Sequence, residues 1–164
     1  MAEPFDLFGF LEARTFPSED VKVYTNEQLA LEAVPLLNER KQLLAKDAKA
    51  STVTIDKKLK KIETDAEASV VTFHLRGIPQ HVIDEAYKAD DDKGQNRVLS
   101  AMLVGVTGPD GTTNTEVLDP DAIERLYGTL PTQGAHSLTK AVGRLLVASL
   151  AFDAMADAGF LAKS

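Results

Sequence analysis

Apolar residues recur along this chain at two spacings, and the two spacings divide it into helices and a few strands. Val21-Lys-Val-Tyr24 alternates apolar with polar, the period of a half-buried strand. Ser69 to Pro79 is the best-bounded run of that kind. Val70, Val71, Phe73 and Leu75 supply its β-branched and bulky side chains, and Gly77 and Pro79 close it.

Elsewhere the step is three or four. Leu29, Ala33, Leu36, Leu37, Leu43 and Leu44 predict a helix from Asn26 to about Lys49, with Asn26 capping its free amides and Pro35 expected to kink it. Ile55, Leu59, Ile62 and Ala66 predict a second helix over about 54–65, despite the β-branched start Ser51-Thr-Val-Thr54. Pro79 fits the first turn of a third, whose apolar positions are Val82, Ile83, Ala86 and Tyr87. Asp90-Asp-Asp-Lys-Gly94 stops that helix as a solvated loop, and Asn96 to Val106 reads as the next helix through Val98, Leu99, Met102 and Leu103.

Gly108-Pro-Asp-Gly111 marks a turn inside an exposed loop over 107–118. Asp119-Pro-Asp121 then supplies a capping carboxylate and a first-turn proline for a helix carrying Ile123, Leu126 and Tyr127, with Gly128 as its stop. Leu138, Val142, Leu145, Ser149, Phe152 and Ala156 mark one face of a single C-terminal helix, broadened by Leu146 and Leu150.

These elements predict a mainly α fold with a small β component, an α+β arrangement of helices around one core with short strands near 21–24 and 69–76. Residues 20–164 form the expected single domain. Residues 1–19 form an acidic N-terminal arm, whose Phe5, Leu7, Phe8, Phe10 and Leu11 either dock as a short helix or extend as an arm. A chain of 164 residues with 44% apolar content fits one core. With 6% aromatics and no Trp, that core falls to Leu, Val, Ile and Ala.

Charge narrows the partners. A net charge of −7 argues against nucleic acid, whose phosphates need clustered Lys and Arg. Absence of cysteine removes disulfides and thiolate metal sites, and Met1 to Thr15 lacks the basic and apolar pattern of an export signal, so a cytosolic protein is expected. The apolar run Leu145 to Phe152 is far short of the ~20 residues of a membrane helix, and no membrane contact is expected.

Candidate chemistry is sparse. His74 sits between Phe73 and Leu75 and reads as a sheet-face residue, while His81 and His136 fall near helix starts as surface residues. His74 and His81 with Asp84 or Glu85 match no zinc spacing. Asp90, Asp91, Asp92 and Gly94 resemble a calcium loop, but Ala101 stands where the bidentate glutamate is needed. Gly105, Gly108 and Gly111 are not spaced to cradle phosphate. Lys57, Lys58, Lys60 and Lys61 form a basic patch flanked by Asp56, Glu63 and Asp65, suited to an acidic protein surface. No catalytic, cofactor-binding or metal-binding residue is expected, and the chain reads as a protein that binds proteins.

The order of elements resembles the tail assembly chaperones of long-tailed bacteriophages, especially those infecting actinobacteria. The resemblance rests on Val21-Lys-Val-Tyr24 ahead of a Leu- and charge-rich helical region, then on Val70 to Pro79 leading into Val82-Ile-Asp-Glu-Ala-Tyr87. It continues through Leu99-Ser-Ala-Met-Leu103, the acid-rich helix Asp121 to Leu126, and Leu130-Pro131 before the final Ala-rich helix. The family implies a non-enzymatic assembly factor of the host cytoplasm that binds the tape-measure protein, assists assembly of the tail-tube protein and leaves the virion. The alternative is a virion structural subunit or another interaction protein.

Within that reading Phe73, Leu75, Ile83 and Tyr87 are the expected partner-binding residues, as part of a groove or a self-association face, although plain core is the commoner use of the same residue types. Basic residues outnumber acids over 36–65 and are outnumbered over 1–35, which predicts head-to-tail self-association. Ser69 to Pro79 is further expected as an edge strand open to a partner.

Overall fold

The computed structural model describes residues 3–47 and 49–162. A short helix α1 (Leu7–Glu12) begins at Asp6, whose carboxylate accepts the Gly9 amide at 3.0 Å. The acidic arm thus forms a short helix but does not dock as one, because none of its residues is buried and Phe5, Leu7, Phe8, Phe10 and Leu11 all stay exposed. Strand β1 (Ser18–Tyr24) starts earlier than its alternation suggested, and two long helices follow, α2 (Glu27–Ala45) and α3 (Val53–Glu67), joined through a 3₁₀ turn at Lys49–Thr52. Then come β2 (Val70–Arg76), α4 (Gln80–Tyr87), α5 (Gly94–Met102), β3 (Leu103–Thr107), β4 (Thr113–Asn114) and α6 (Pro120–Thr129). The chain ends in α7 (Thr132–Val147), a 3₁₀ turn at Ala148–Leu150 and α8 (Ala151–Asp157). The fold is α+β, as the two spacings predicted.

Among the described residues the strands form one antiparallel sheet in the order β1-β2-β3-β4. Register places Val21 opposite Phe73, Val23 opposite Val71, and Val106 opposite Phe73. Strand side chains alternate across the sheet, so this register gathers the apolar residues of the first three strands on one face. Helices α4 to α7 cover that face: Val98, Leu99 and Met102 of α5, Ile123 of α6, and Leu138 and Ala141 of α7 are all buried with the strand residues. Gly134 lets α7 lie close to β1, because a Cβ there would come within 2.6 Å of Val23 Cγ1. Arg144 of α7 closes the same seam, its Nε donating to Glu19 Oε2 at 3.1 Å and its Nη2 to Oε1.

Three expectations about strands change. The run Ser69 to Pro79 is no edge: β2 is paired on both sides, because β3 claims its second set of amides. The helix expected from Asn96 to Val106 ends at Met102 and becomes β3. Val104, Gly105 and Val106 are poor helix formers, and pairing with β2 satisfies their amides instead. The expected loop over 107–118 contains β4, turned back by Gly108-Pro-Asp-Gly111; the Gly108 amide donates to Thr112 O at 2.9 Å and Gly111 takes a φ of 83°.

Helix boundaries shift too. Asn26 stands at the N-cap of α2 without a side-chain capping bond, and Pro35 lies inside that helix. Gly128 falls within α6, which stops instead where Leu130 precedes Pro131. The single C-terminal helix is interrupted after Val147, because no described residue beyond Leu145 is buried and nothing beneath holds its register.

Between β1 and β2, helices α2 and α3 form an antiparallel hairpin. Leu29, Ala33, Leu36, Arg40 and Leu43 are the half-buried positions of α2, and Thr52 just before α3 and Ile55, Leu59, Ile62 and Ala66 within it are the covered positions facing α2. Steps of four and three on both helices are the coiled-coil repeat. Arg40 stays on this seam by reaching Asp56, Nε to Oδ1 at 2.7 Å.

Candidate functional site

Helices α4, α5, α6 and α7 leave an open groove of about 520 Å³ over their shared core. Tyr87 stands at one end, Val98 lies in the floor, Tyr127 and Glu124 come from α6, and Val142 and Leu146 come from α7. Each helix presents these residues because its buried set, Ala86, Val98, Ile123 and Leu145 among them, turns toward the sheet and leaves the neighbouring positions on the rim. Gln95, Asn96 and Thr139 join the two tyrosines and Glu124 around the aliphatic Val98, Val142 and Leu146, and such a mixed lining suits an amphipathic helix.

The loop from α4 to α5 is held by charge. Asp91 Oδ1 accepts the Lys93 amide at 3.0 Å and the Arg97 Nη1 at 2.8 Å, while Arg97 Nη1 also donates to Ala86 O at 3.0 Å. The Arg97 guanidinium first, and then the Lys93 amide, hold the Asp91 carboxyl down at about 2. Lys93 Nζ reaches Asp121 at 2.6 Å, which raises the pKa of the lysine and ties this loop to the start of α6. Among the aspartates compared with a calcium loop Asp91 thus has a structural role, and no cluster of potential metal ligands occurs among the described residues.

The four expected partner-binding residues do not share one surface. Leu75 is fully buried in the core, and Ile83 is half-buried against it. Phe73 is 3% exposed and contributes to the floor of a different groove, about 560 Å³, between the sheet and α6. Tyr87 alone is exposed and belongs to the groove between the helices. The reason is strand parity: Phe73 and Leu75 belong to the apolar set of β2, and that set faces the helices. Tyr127, Val142 and Leu146 were missed, although the spacing of the latter two on one helix face was a readable signal.

His74 does not converge with His81. It lies on the sheet face opposite the core, Nδ1 2.7 Å from Asp20 Oδ1 and Nε2 2.6 Å from Thr107 Oγ1, and Thr107 Oγ1 meets Thr113 Oγ1 at 2.7 Å. One polar row therefore crosses all four strands. Carboxylate, imidazole and hydroxyl stand in the order of an acyl-transfer triad, but the hydroxyl is shared with Thr113, and Asp20, His74 and Thr107 line neither of the two grooves. His81 and His136 are exposed near the starts of α4 and α7. In the basic patch Lys60 pairs with Glu63 at 3.1 Å, whereas Asp56 is taken by Arg40.

Apolar side chains also stand exposed outside the grooves: Leu31, Val34 and Leu37 on α2, and Val147, Leu150, Phe152, Met155 and Phe160 at and beyond the end of α7. No helix among the described residues is long and apolar enough to cross a membrane. No protein family, no curated protein and no solved structure matches this chain.

Proposed function

We propose that this protein is a non-enzymatic tail assembly chaperone that binds the tape-measure protein through the groove between Tyr87 and Leu146 and assists tail-tube assembly. The observation that carries the reading is a set of exposed apolar side chains that begins at the groove with Leu146 and goes on along the chain with Val147, Leu150 and Phe152. An extended helical partner offers apolar residues every three to four positions, and the exposed apolar side chains at the groove and in α8 offer several counterparts to them. Exposed apolar stretches of this extent mark interaction surfaces in proteins generally. The resemblance carried by Val70 to Tyr87 supplies the class of partner, action in the host cytoplasm and absence from the finished virion, while the opposed charges of residues 1–35 and 36–65 supply self-association.

Co-expression with the tape-measure protein tests the reading. The wild-type chain should co-purify with it, and Tyr87→Asp combined with Leu146→Asp should abolish capture while circular dichroism stays unchanged. Mass spectrometry of purified particles should lack the chain; many copies per particle would overturn the chaperone assignment in favour of a virion subunit.

A further inference from the structure

Helix α2 runs for 19 residues, and none of them is buried. The seam toward α3 uses Leu29, Ala33, Leu36, Arg40 and Leu43. A second stripe, rotated about a quarter turn around the same helix, runs Glu27, Ala30, Val34, Leu37 and Lys41, in steps of three, four, three and four. Leu31 flanks it. Leu31, Val34 and Leu37 are 66%, 50% and 53% exposed. Helices in water draw most of their stability from covering an apolar face, and this one leaves Leu31, Val34 and Leu37 uncovered.

The stripe has an acid at one end, a lysine at the other and aliphatic residues between, and this polarity selects the occupant. A second copy laid parallel would set Glu27 against Glu27 and Lys41 against Lys41. Laid antiparallel about Val34, it sets Lys41 against Glu27 at both ends and Leu37 against Ala30 and Leu31. That pattern is self-complementary under a two-fold axis, the commonest symmetry of soluble dimers. Arg40 does not disturb it, being held across the hairpin by Asp56.

We propose that the protein forms a two-fold dimer through the exposed face of α2, with Val34 at the axis and Lys41 of each copy on Glu27 of the other. This gives the self-association in the chaperone reading a surface of its own, away from the groove at Tyr87, and it is closed by symmetry where the charge blocks alone predicted open head-to-tail contacts.

Sedimentation of the full chain tests it. Wild type should run as a dimer, Lys41→Glu should weaken the dimer by at least about tenfold through two like-charge contacts, and Glu27→Lys with Lys41→Glu should restore it. The chain has no cysteine, so Val34→Cys should give a disulfide-linked dimer on mild oxidation. Ala30→Cys should link to Asn38→Cys in a mixed sample and not to itself. A monomer at every concentration overturns the proposal, as does a dimer indifferent to Lys41→Glu or linked through Ala30→Cys alone. Tape-measure capture is measured in the same samples: a monomer that still captures defeats only the dimer, and a dimer that captures nothing defeats only the chaperone.

Discussion

The ring of Tyr87, at the end of α4, lies over the backbone of Gly94 at the start of α5, so closely that a Cβ on Gly94 would stand 2.3 Å from Tyr87 Cδ1. Tyr87 is 52% exposed, so its ring can swing outward at little cost to the core. Gly94→Ala should therefore move the Tm by no more than about 3 °C while weakening capture of a helical partner several-fold. A thermal melt paired with a binding isotherm separates the two effects; unaltered binding would remove Tyr87 from the site.

The same change has the opposite profile at Gly134. There the atoms in the way are both methyls of Val23, at 2.6 and 3.0 Å, on a fully buried strand residue that cannot swing clear. Overpacking costs about 1–3 kcal/mol, against a helix-propensity gain of up to about 1 kcal/mol for Gly to Ala. Gly134→Ala should lower stability by about 1–2 kcal/mol in urea denaturation. Combined with Val23→Ala it should cost less than the two single changes added together.

Asp91 makes the α4–α5 junction sensitive to acid. Its folded pKa of about 2 lies below the ordinary aspartate value of about 3.9, so its contribution to stability is complete above about pH 4 and drains away as pH falls toward 2. The destabilisation of Asp91→Asn relative to wild type should therefore be visible at neutral pH and vanish near pH 2. In an NMR titration of the side-chain carboxyl, Arg97→Gln should return Asp91 toward the ordinary range.

Two helix starts with capping residue types should respond differently. Asp119 Oδ1 accepts the Ala122 amide at 2.8 Å, whereas Asn26 makes no capping bond with its side chain. Asp119→Ala should cost about 1 kcal/mol and Asp119→Asn much less, while Asn26→Ala should be close to neutral in chemical denaturation.

The contrast between these two caps shows where local reading works. Asp119 is followed by Pro120 and Asp121, three residues whose separate preferences agree on one helix start, and no distant contact is needed to realise it. Asn26 follows β1 directly, and the path of the chain leaving the sheet sets its backbone at φ −91°, ψ 85°, where its side chain makes no capping bond.

The α+β class, the strand at Val21 to Tyr24 and the one at Val70 to Arg76, and the helical faces of α3, α4 and α6 were legible in the residues, because each depends on the period of its own apolar positions. Packing and pairing across long separations made the remaining decisions. Leu103 to Thr107 is a strand because β2 lies beside it, and the amides of β2 serve β3 instead of a partner for the same reason. Phe73 and Leu75 were legible as apolar but not as inward, since only register against Val21 and Val106 tells which face of a strand meets the helices. The groove at Tyr87 joins four helices whose rims are brought together only when their buried faces settle on one sheet.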